Sequence, residues 1–475
     1  MKGQILITLI ILVVVMIVFV FGLISWAVFS QRVSQQIVLK ELAFHIAESG
    51  NEYYRWHLAH NRNDYQDGQS WCCQNPPCEW CGPYIHDYKN IDKKIIGQFS
   101  LKIKPPPIGS TVVTIRSTGW PINQPSLKRT IETKLAIQSW TKFAVVANDK
   151  MRFGEGTTVY GEIHSNDGIR FDGVAYNLVK SAKTTYVDPD DGATEWAVHT
   201  HVSPRDPFPP TPLPNRPDIF RAGRQISVPA IDFDGISANL SEIKSKAQQN
   251  GIYLPPSGAY GYEIVLKTND KFDLYKVISI VPKPSGCASP TWSINNRETL
   301  NENVNFPANG LIFVEDNLWI RGQINTARLT IGVAKFPENP STYKNIIINS
   351  NLLYTNYDGQ DTIGLIAQKD IIVGLESEND LKIDGALIAK NGRVGRPYYN
   401  QACSDTYYKR YRITLNGMIG SNQRYGFSWV CSGSYCSGYE IRNINYDGNL
   451  LYAPPPNFPL ASDEYQTISW QEILP

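Results

Sequence analysis

The chain has 475 residues, with 45 basic and 44 acidic side chains and a formal net charge of +1. This length predicts two to four domains with ample core, and the balanced charge excludes the electrostatic footprint of a nucleic-acid-binding protein. The many Gly, Pro, Asn and Tyr residues indicate a β-rich body with many turns, a composition often seen in surface proteins.

The first predicted element is an apolar helix. The sequence opens with MKGQILITLIILVVVMIVFVFGLISWAVFSQR, and its segment from Ile5 to Phe29 carries no charge. At about 1.5 Å per residue, this segment forms a helix of roughly 37 Å, enough to cross a hydrocarbon core of about 30 Å. A secretory apolar region is shorter, about 7–15 residues. We therefore predict a membrane anchor through residues 5–29, with cleavage after Ala27 as the alternative.

The helix is predicted to continue beyond the membrane to about His60. The segment QRVSQQIVLKELAFHIAESGNEYYRWHLAHN lacks proline, and its apolar residues recur at spacings of three, four and seven. This stripe consists of Val33, Ile37, Phe44, Ala47, Tyr54 and Leu58. A long helix that is apolar in its first half and amphipathic in its second is typical of a filament-subunit stem, here over residues 1–61.

Eight cysteines follow the anchor, and an even number there indicates disulfides in an oxidising compartment. They are Cys72, Cys73, Cys78, Cys81, Cys287, Cys403, Cys431 and Cys436. The alternative is a zinc site in CCQNPPCEWC, although its spacing differs from the paired C-x-x-C of zinc ribbons and fingers. The pairing cannot be predicted from spacing alone, but disulfides place the body outside the cytoplasm.

A small sheet is predicted next, within residues 62–140. After a Cys-rich loop, the segments KIIGQFSLKIK, STVVTIRSTG and SLKRTIETKLAIQ alternate apolar and polar residues. The turn sequences PPPIG and WPINQP separate them. Three antiparallel strands packed on the helix half that has left the membrane would form an α+β stem.

From residue 141 the pattern changes to short strands separated by Gly and Asn turns. Segments such as GEIHSNDGIRF, GLIAQKDIIV and IDGALIAKNGRV alternate apolar triplets with turn residues. Stacked coils would bury such triplets against one another, with Gly or Asn at the corners. An irregular β-solenoid is predicted over 141–202 and 301–475, with a β-sandwich as the alternative.

An insertion is predicted between the two β blocks, over residues 203–300. Its Pro-rich segment SPRDPFPPTPLPNRPD is expected to be a stiff spacer, with a peptide-recognition ligand as the alternative. The segment DGISANLSEIKSKAQQNG predicts a helix with Ser237 or Asn239 as its cap and Gly251 at its end. The apolar stripe of this helix is Leu240, Ile243 and Ala247.

Two parts of the chain resemble PilX-type pilus assembly proteins, which are relatives of minor pilins. The segment LAFHIAESGNEYYRW resembles the AFxxAE(A/S)G block that follows their membrane helix. The matching residues are Ala43, Phe44, Ala47, Glu48, Ser49 and Gly50. The body, including INYDGNLLYAPPPNFP and YQTISWQE, resembles the large β-rich domains attached to such stems. The expected fold class is thus mainly β with a long N-terminal α-helix: a pilin-like α+β stem followed by an irregular, β-helix-like solenoid.

The resemblance implies a type IV pilin-like protein that a prepilin peptidase processes after Gly3, leaving Gln4 first. The leader MKG is short, and a Phe is usual where Gln4 stands. Thr8 stands where major pilins carry a glutamate that is thought to pair with a neighbour's amino terminus, since a lone buried charge is very costly. A subunit without this glutamate, carrying so large a body, is expected at a filament tip or initiating position.

Few residues indicate catalysis or metal binding. His164, with Glu162 and Asp167 nearby, could form an acid–base pair or a metal site, but we expect it to hydrogen-bond at a turn. His199 and His201 place two imidazoles on one strand face, which is half of a metal site. No third ligand is identifiable from the sequence.

The oxygen-rich turns DPDDG (188–192) and YDGQD (357–361) do not fit the twelve-residue calcium loop, so local side-chain-to-backbone turns are expected. The sequence contains no G-x-S-x-G, P-loop or H-E-x-x-H motif. We therefore predict no catalytic, cofactor or metal site. A tethered glycan hydrolase that uses paired carboxylates stays open as an alternative.

One stretch, from about residue 398 to 436, is rich in aromatic side chains interleaved with Arg and Lys. The rings are those of Tyr398, Tyr399, Tyr407, Tyr408, Tyr411, Tyr425, Phe427, Trp429 and Tyr435. We expect a disulfide-pinned loop that packs its rings on the body. The alternative is an exposed binding surface for protein or glycan.

The function predicted from sequence is that of a non-enzymatic, minor pilin-like surface protein. Its expected partners are the membrane, through residues 5–29, and other pilin-like subunits. Contact with a surface protein or glycan, and hence adhesion, stays open, and no nucleic-acid partner or cofactor is expected. The body is expected outside the cytoplasm, at the cell surface and associated with a pilus. An anchored surface protein that never polymerises is the main alternative.

Overall fold

The structure is a computed structural model that describes residues 2–72, 79–106, 110–431 and 434–473. Only the backbone is described for residues 2–6, 8, 237, 238 and 463. The predicted disulfide candidates Cys73 and Cys78 lie outside the described residues. The chain divides into two compact units. The stem unit is Met1–Pro106, Thr111–Ala136 and Glu464–Pro475, and the β-body is Pro107–Ser110 and Ile137–Asp463.

The described residues form two α-helices, α1 (Lys2–His60) and α2 (Ile236–Asn250), and three short 3-10 helices at Trp140–Lys142, Pro340–Thr342 and Gly448–Leu451. The strands of the first part of the chain are β1 (Cys81–Lys89), β2 (Ile95–Lys104), β3 (Val113–Pro121), β4 (Arg129–Ser139), β5 (Phe143–Ala147), β6 (Met151–Phe153), β7 (Thr158–Val159), β8 (Glu162–Ser165), β9 (Ile169–Phe171), β10 (Val174–Ala175), β11 (Val179–Ser181), β12 (Thr185–Val187), β13 (Thr194–Trp196), β14 (Val198–His199) and β15 (Arg224–Gln225). After α2 come β16 (Ile252–Leu254), β17 (Gly261–Lys267), β18 (Lys271–Ile280), β19 (Ile294–Asn305), β20 (Leu311–Val314), β21 (Leu318–Gln323), β22 (Arg328–Val333), β23 (Ile346–Ile347), β24 (Leu352–Leu353), β25 (Thr362–Ala367), β26 (Ile371–Ile372), β27 (Asp380–Ala389), β28 (Val394–Gly395), β29 (Lys409–Ser421), β30 (Ser428–Cys431), β31 (Ser434–Tyr446) and β32 (Leu460–Ile473).

The stem unit combines α1 with a five-stranded sheet in the order β1-β2-β3-β4-β32. The prediction that one helix runs from the apolar opening to about His60 is confirmed. The three predicted strands are confirmed as β2, β3 and β4, and they pair antiparallel. Both edge strands, β1 and β32, are absent from the sequence-based prediction. The prediction assigns the last residues to the β block 301–475, whereas 464–475 belong to the stem unit.

In the β-body, successive passes of the chain pair in parallel. The longest ladder runs, in spatial order, through β16, β20, β22, β25, β27, β29, β5, β8, β11 and β15. A second parallel ladder joins β17, β21, β23, β26 and β28, and a third joins β6, β9 and β14. The predicted fold class is thus confirmed as mainly β with one long N-terminal helix.

Aliphatic side chains stack along the longest ladder and form the centre of the core. One column of register partners is completely buried and consists of Ile312, Ile331, Leu365, Leu387, Ile419, Val145, Ile163 and Val179. Parallel strands that are buried on both faces favour such Val, Ile and Leu runs. This explains why the body reads as repeated apolar triplets rather than as long alternating strands.

The predicted helix of the insertion is confirmed as α2, and its stripe Leu240, Ile243 and Ala247 is buried. Its N-terminal cap is Gly235, which makes no side-chain cap bond, so the predicted Ser237 or Asn239 cap is wrong. Gly251 ends the helix as predicted and donates its N–H to the carbonyl of Ala247. Strands β16 and β17 then join the parallel ladders, while β17, β18 and β19 pair antiparallel. The other predicted domain boundaries stay predictions.

Candidate functional site

The first half of α1 is an exposed apolar rod. Every residue from Leu9 to Val38 is exposed, including Phe19 and Trp26, each at 69%. The most apolar 18-residue window has a mean hydropathy of 3.1 and no buried residue. Among the described residues, α1 is the one helix long and apolar enough to cross a membrane. A surface of this kind requires a lipid or protein covering, because contiguous exposed apolar area is unfavourable in water.

The second half of α1 packs on the sheet through small residues of the stem motif. Ala43 and Ala47 are completely buried, and Gly50 is also buried. A Cβ at Gly119 on β3 would lie 2.4 Å from the amide nitrogen of Ala47 and 2.6 Å from the carbonyl oxygen of Ala43. A Cβ at Gly50 would lie 2.2 Å from the hydroxyl oxygen of Ser117. The helix backbone and the sheet backbone therefore approach closely here, and only glycine fits.

The other stem-motif residues lie beside this contact. Phe44 is half-buried, and its ring meets Trp470 of β32 edge-on, with 6.1 Å between centroids. Arg129 lies over the Phe44 ring at 5.5 Å and binds Glu472 with two guanidinium nitrogens, one of them 2.6 Å from Glu472 Oε2. Ser49 donates a hydrogen bond to the carbonyl of His45, four residues earlier, and Glu48 is half-buried.

The predicted apolar stripe is split by the sheet. Ala47, Tyr54 and Leu58 are buried, whereas Val33 and Ile37 are 39% and 63% exposed. The exposed members lie in the half of α1 that the sheet does not cover. They belong instead with the exposed apolar rod.

We expect Gly119→Leu to destabilise the stem unit by about 3 kcal/mol, because overpacking that meets backbone atoms cannot be relieved by rotating a side chain. Hydrogen exchange at the amides of β2 and β3 in the full-length protein measures the effect, as faster local opening. Gly154→Leu is the matched control, since its Cβ would meet nothing within 4 Å. Equal exchange in both variants would contradict the close contact.

Gly3 and Gln4, the predicted processing residues, lie at the start of α1. Their side chains are outside the described part of the structure, and cleavage between them stays a prediction.

Six of the disulfide candidates form three bonds: Cys72–Cys81, Cys287–Cys403 and Cys431–Cys436. The zinc alternative for CCQNPPCEWC loses two of its ligands, Cys72 and Cys81, to the first of these bonds.

His164 is a buried, hydrogen-bonded side chain on β8, and it is 2% exposed. Its Nε2 lies 3.1 Å from Asn166 Oδ1, which agrees with the predicted role at a turn. Glu162 pairs with Lys180 at 3.1 Å. Burial lowers the pKa of His164 to about 4, so the ring is neutral over most of the physiological range.

The shifted pKa of His164 predicts a loss of stability in acid. The unfolded chain binds a proton near pH 6.5 and the folded chain only near pH 4, so stability falls as the pH drops through this window. We expect His164→Gln to remove about 3 kcal/mol of this acid-induced loss at pH 4. Denaturant unfolding followed between pH 7 and pH 4 tests this, with the exposed His60→Gln as control. Parallel curves for wild type and His164→Gln would contradict it.

The structure brings His199 and His201 together with two carboxylates, those of Asp188 and Glu195. His199 Nε2 lies 3.3 Å from Asp188 Oδ2 and 3.3 Å from Glu195 Oε2. His201 Nε2 lies 2.8 Å from Glu195 Oε1 and 3.7 Å from Asp188 Oδ2. One possible ligand atom from each residue lies within 4.8 Å of the others. We call these four residues the His–acid cluster.

The His–acid cluster lies inside the β-body. The side chains of Asp188, Glu195 and His199 are at most 2% exposed and that of His201 is 14% exposed. Burial lowers the pKa of the His199 imidazole, which favours the neutral ring. These four groups could hold a metal ion. The sequence analysis missed both carboxylates, because Asp188 and Glu195 are 11 and 4 residues from His199 with no motif spacing.

The other oxygen-rich turn serves the backbone. Asp361 is buried and accepts hydrogen bonds from the amides of Ala327, Thr355 and Asn356 at 2.7–3.0 Å. Asp358 accepts one from the amide of Gln360 at 3.1 Å. The expected side-chain-to-backbone turn is therefore what these residues form.

The aromatic stretch is divided between core and surface. Tyr399 and Phe427 are buried, Tyr399 beside the Cys287–Cys403 disulfide. Tyr411, in contrast, is 47% exposed. The expected packing of rings on the body holds for the buried members, and the exposed ones leave a binding role open.

Comparison with known proteins provides little further guidance. No protein-family profile matches the chain, and no curated protein matches it significantly. Among solved structures, the chain is similar to the competence-associated pilin ComZ from Thermus thermophilus, with 12% identity over 92% of this chain and 98% of that chain. The TM-score is 0.27, too low to indicate a shared fold.

Proposed function

We propose that this protein is a membrane-anchored, pilin-like surface protein whose helix α1 inserts into a bilayer and into a filament of similar helices. The observation that carries the proposal is the exposed apolar rod of α1, which continues without a break into the half packed on the sheet. Each Å² of apolar surface covered is worth about 25 cal/mol, so a rod of this size has a strong requirement for a covering.

The length of the rod favours a filament stem over a plain anchor. The exposed large apolar residues extend from Ile7 to Val38, a rise of about 48 Å against a hydrocarbon core of about 30 Å. Ile37 and Val38, 63% and 64% exposed, therefore fall outside a bilayer that covers the uncharged run. Neighbouring stems of the same kind would cover them.

The remaining features agree with this role. Three disulfides fit an extracytoplasmic, oxidising location. The parallel ladders of the β-body support an irregular β-solenoid, an architecture suited to display at a surface. We place the protein with PilX-type minor pilins on its stem motif, and at a filament tip or initiation point because Thr8 replaces the glutamate of major pilins. The same proposal includes adhesion through the exposed aromatic residues. It does not include a catalytic activity.

N-terminal sequencing with intact mass, on protein from the surface fraction of the native host, tests the proposal first. A mature start at Gln4 is expected, and a Gly3→Val variant should stay unprocessed while a Thr8→Val variant is processed normally. An intact start at Met1 in the wild type would leave α1 a plain membrane anchor. The filament half of the proposal would then fall.

A charge on the part of the rod beyond the bilayer separates anchoring from assembly. We expect Ile37→Glu to keep the protein in the membrane fraction but to reduce its co-purification with filaments at least about 10-fold, because an unpaired charge would be buried between stems. Gln36→Glu is the matched control, since it adds the same charge at a neighbouring exposed position. Equal recovery of both variants with filaments would contradict packing through Ile37.

A further inference from the structure

The His–acid cluster contains buried atoms without hydrogen-bond partners. His199 Nε2 and Asp188 Oδ2 are both buried, and neither has a hydrogen-bond partner, although they lie 3.3 Å apart. Asp188 uses its other oxygen, Oδ1, to accept a hydrogen bond from the amide of Asp190 at 2.9 Å. Buried polar atoms are nearly always paired, so two orphans that face each other require an explanation.

The hydrogen bond on the far side of His199 explains why this pair is unsatisfied. His199 Nδ1 lies 3.0 Å from the carbonyl oxygen of Trp196, which can only accept, so Nδ1 carries the proton. In the neutral ring, Nε2 then carries no proton, and carboxylate oxygens of Asp188 and Glu195 each lie 3.3 Å from it. Metal-binding histidines are held in the same way, by a hydrogen bond from the second nitrogen to a backbone carbonyl. A cation between these atoms would remove their mutual repulsion.

The spacing of the atoms fits one small ion. A tetrahedral zinc site with bonds of about 2.0–2.1 Å has ligand atoms about 3.3 Å apart. The His-to-carboxylate distances in the cluster are 3.3 and 3.7 Å to Asp188 Oδ2, and 3.3 and 2.8 Å to the two different oxygens of Glu195. One possible ligand atom from each of the four residues lies within 4.8 Å of the others. Two imidazole nitrogens and two carboxylate oxygens suit zinc, whereas calcium takes six to eight oxygen ligands.

The groups around the His–acid cluster also carry a net negative charge that a dication would neutralise. Arg170 Nη1 lies 3.9 Å from Asp188 Oδ2, and Arg205 contacts Glu195. With neutral imidazoles, the groups joined by ion pairs here are five carboxylates and three guanidinium groups, a net charge of −2. They are Asp172, Asp188, Asp190, Asp191 and Glu195, with Arg152, Arg170 and Arg205.

We propose that Asp188, Glu195, His199 and His201 bind one Zn²⁺ ion in a closed, structural site of the β-body. Asp188 directly follows β12, Glu195 lies on β13, and His199 is the last residue of β14. His201 lies two residues before the Pro-rich segment. Zinc would therefore tie the β12–β13 hairpin and the chain that leads into the Pro-rich segment to the parallel ladder of β14. This site goes beyond the proposed function and replaces the sequence-based expectation of no metal.

The test uses the full-length protein in detergent, stripped with a chelator and then titrated with ZnCl₂ or CoCl₂ alone. We expect one equivalent of zinc to remain after desalting and Co²⁺ to give the intense visible bands of a four-coordinate ion. X-ray absorption at the zinc edge should show only nitrogen and oxygen neighbours at about 2.0–2.1 Å. A folded wild type that retains no zinc and gives no such Co²⁺ spectrum would overturn the site and leave a metal-free network of histidine and carboxylate side chains.

Variants assign the ion to these ligands. We expect Glu195→Gln and His201→Gln each to weaken Zn²⁺ affinity at least about 10-fold, and His164→Gln, which changes a buried histidine elsewhere in the β-body, to leave it unchanged. Unchanged affinity in both ligand variants would place the zinc elsewhere and overturn the proposal. If either variant fails to fold, the wild-type spectra decide. None of these results depends on whether α1 enters a filament, so the two proposals can fail separately.

Discussion

Replacing both Cys287 and Cys403 by serine is expected to lower the free energy of unfolding of the β-body by about 5 kcal/mol. The bond joins residues 116 apart in sequence, and the entropy that a disulfide removes from the unfolded chain grows with the length of the loop it closes. Both cysteines are also buried, in a cluster with Leu375 and Tyr399, so polar replacements would lose apolar contacts there.

The double serine variant of Cys431 and Cys436 is the matched control. Its disulfide closes a loop with a separation of only 5 residues, for which the same relation predicts about 2 kcal/mol. Denaturant unfolding of the full-length protein, followed by tryptophan fluorescence and by circular dichroism, measures both variants. If the two double serine variants lost equal free energy of unfolding, loop closure would not be the source of the stabilisation.

Arg396→Met is expected to destabilise the β-body by about 4 kcal/mol, although it removes a charge from the core. Arg396 is completely buried and has no carboxylate partner among its hydrogen bonds. Its guanidinium group donates to the carbonyls of Gly374, Leu375 and Tyr407, and to the hydroxyl of Ser377 at 2.7 Å. Methionine would leave the carbonyls of Gly374 and Leu375 buried without the donors they have here, at about 1–3 kcal/mol each, offset in part by the lost cost of burying the charge.

Two rings complete the environment of Arg396. Its guanidinium carbon lies 4.9 Å from the ring centre of Tyr399 and 5.7 Å from that of Tyr439. Burial lowers the pKa of Arg396 to about 10, which still leaves it charged at neutral pH and able to interact with both ring faces. One of these rings, Tyr399, belongs to the aromatic stretch, and the other, Tyr439, lies just beyond it.

Arg412→Met is the control for Arg396→Met. Arg412 pairs with Asp380 at the surface, where both side chains are more than a third exposed, and solvent-screened pairs of this kind contribute little to stability. The same unfolding experiment compares the two variants, and Arg396→Lys should fall between them because one ammonium group cannot reach all the acceptors. A loss of less than about 1 kcal/mol for Arg396→Met would mean that water replaces the guanidinium.

Local patterns in the sequence were sufficient for several elements. The course of α1 to His60, the strands β2, β3 and β4, and helix α2 with its stripe of Leu240, Ile243 and Ala247 were all predicted. Each of these depends on the spacing of apolar residues within one segment, which sets the face that can be buried. The cap of α2 was not predicted, because several polar residues near Gly235 compete for that position.

The edge strands of the stem sheet show where local patterns fail. β1 follows the Cys-rich loop with little alternation, and its burial is irregular. β32 joins the sheet from more than 300 residues further along the chain, beside β4. The sequence segment has strand character in both cases, but the choice of a pairing partner is a long-range event that propensity does not encode.

The sequence by itself determined that this chain has a long apolar stem, a small sheet next to it and a turn-rich β-body. Only the tertiary structure decided that β29 pairs with the distant β5 as well as with its sequence neighbours β27 and β31, that Arg396 is buried among carbonyls, and that Asp188 and Glu195 meet His199 and His201. The physical reason is the sequence separation between the residues that interact. Helices and single strands follow from the residues within a few turns, whereas coil stacking and side-chain clusters follow from contacts between segments that only the complete fold brings together.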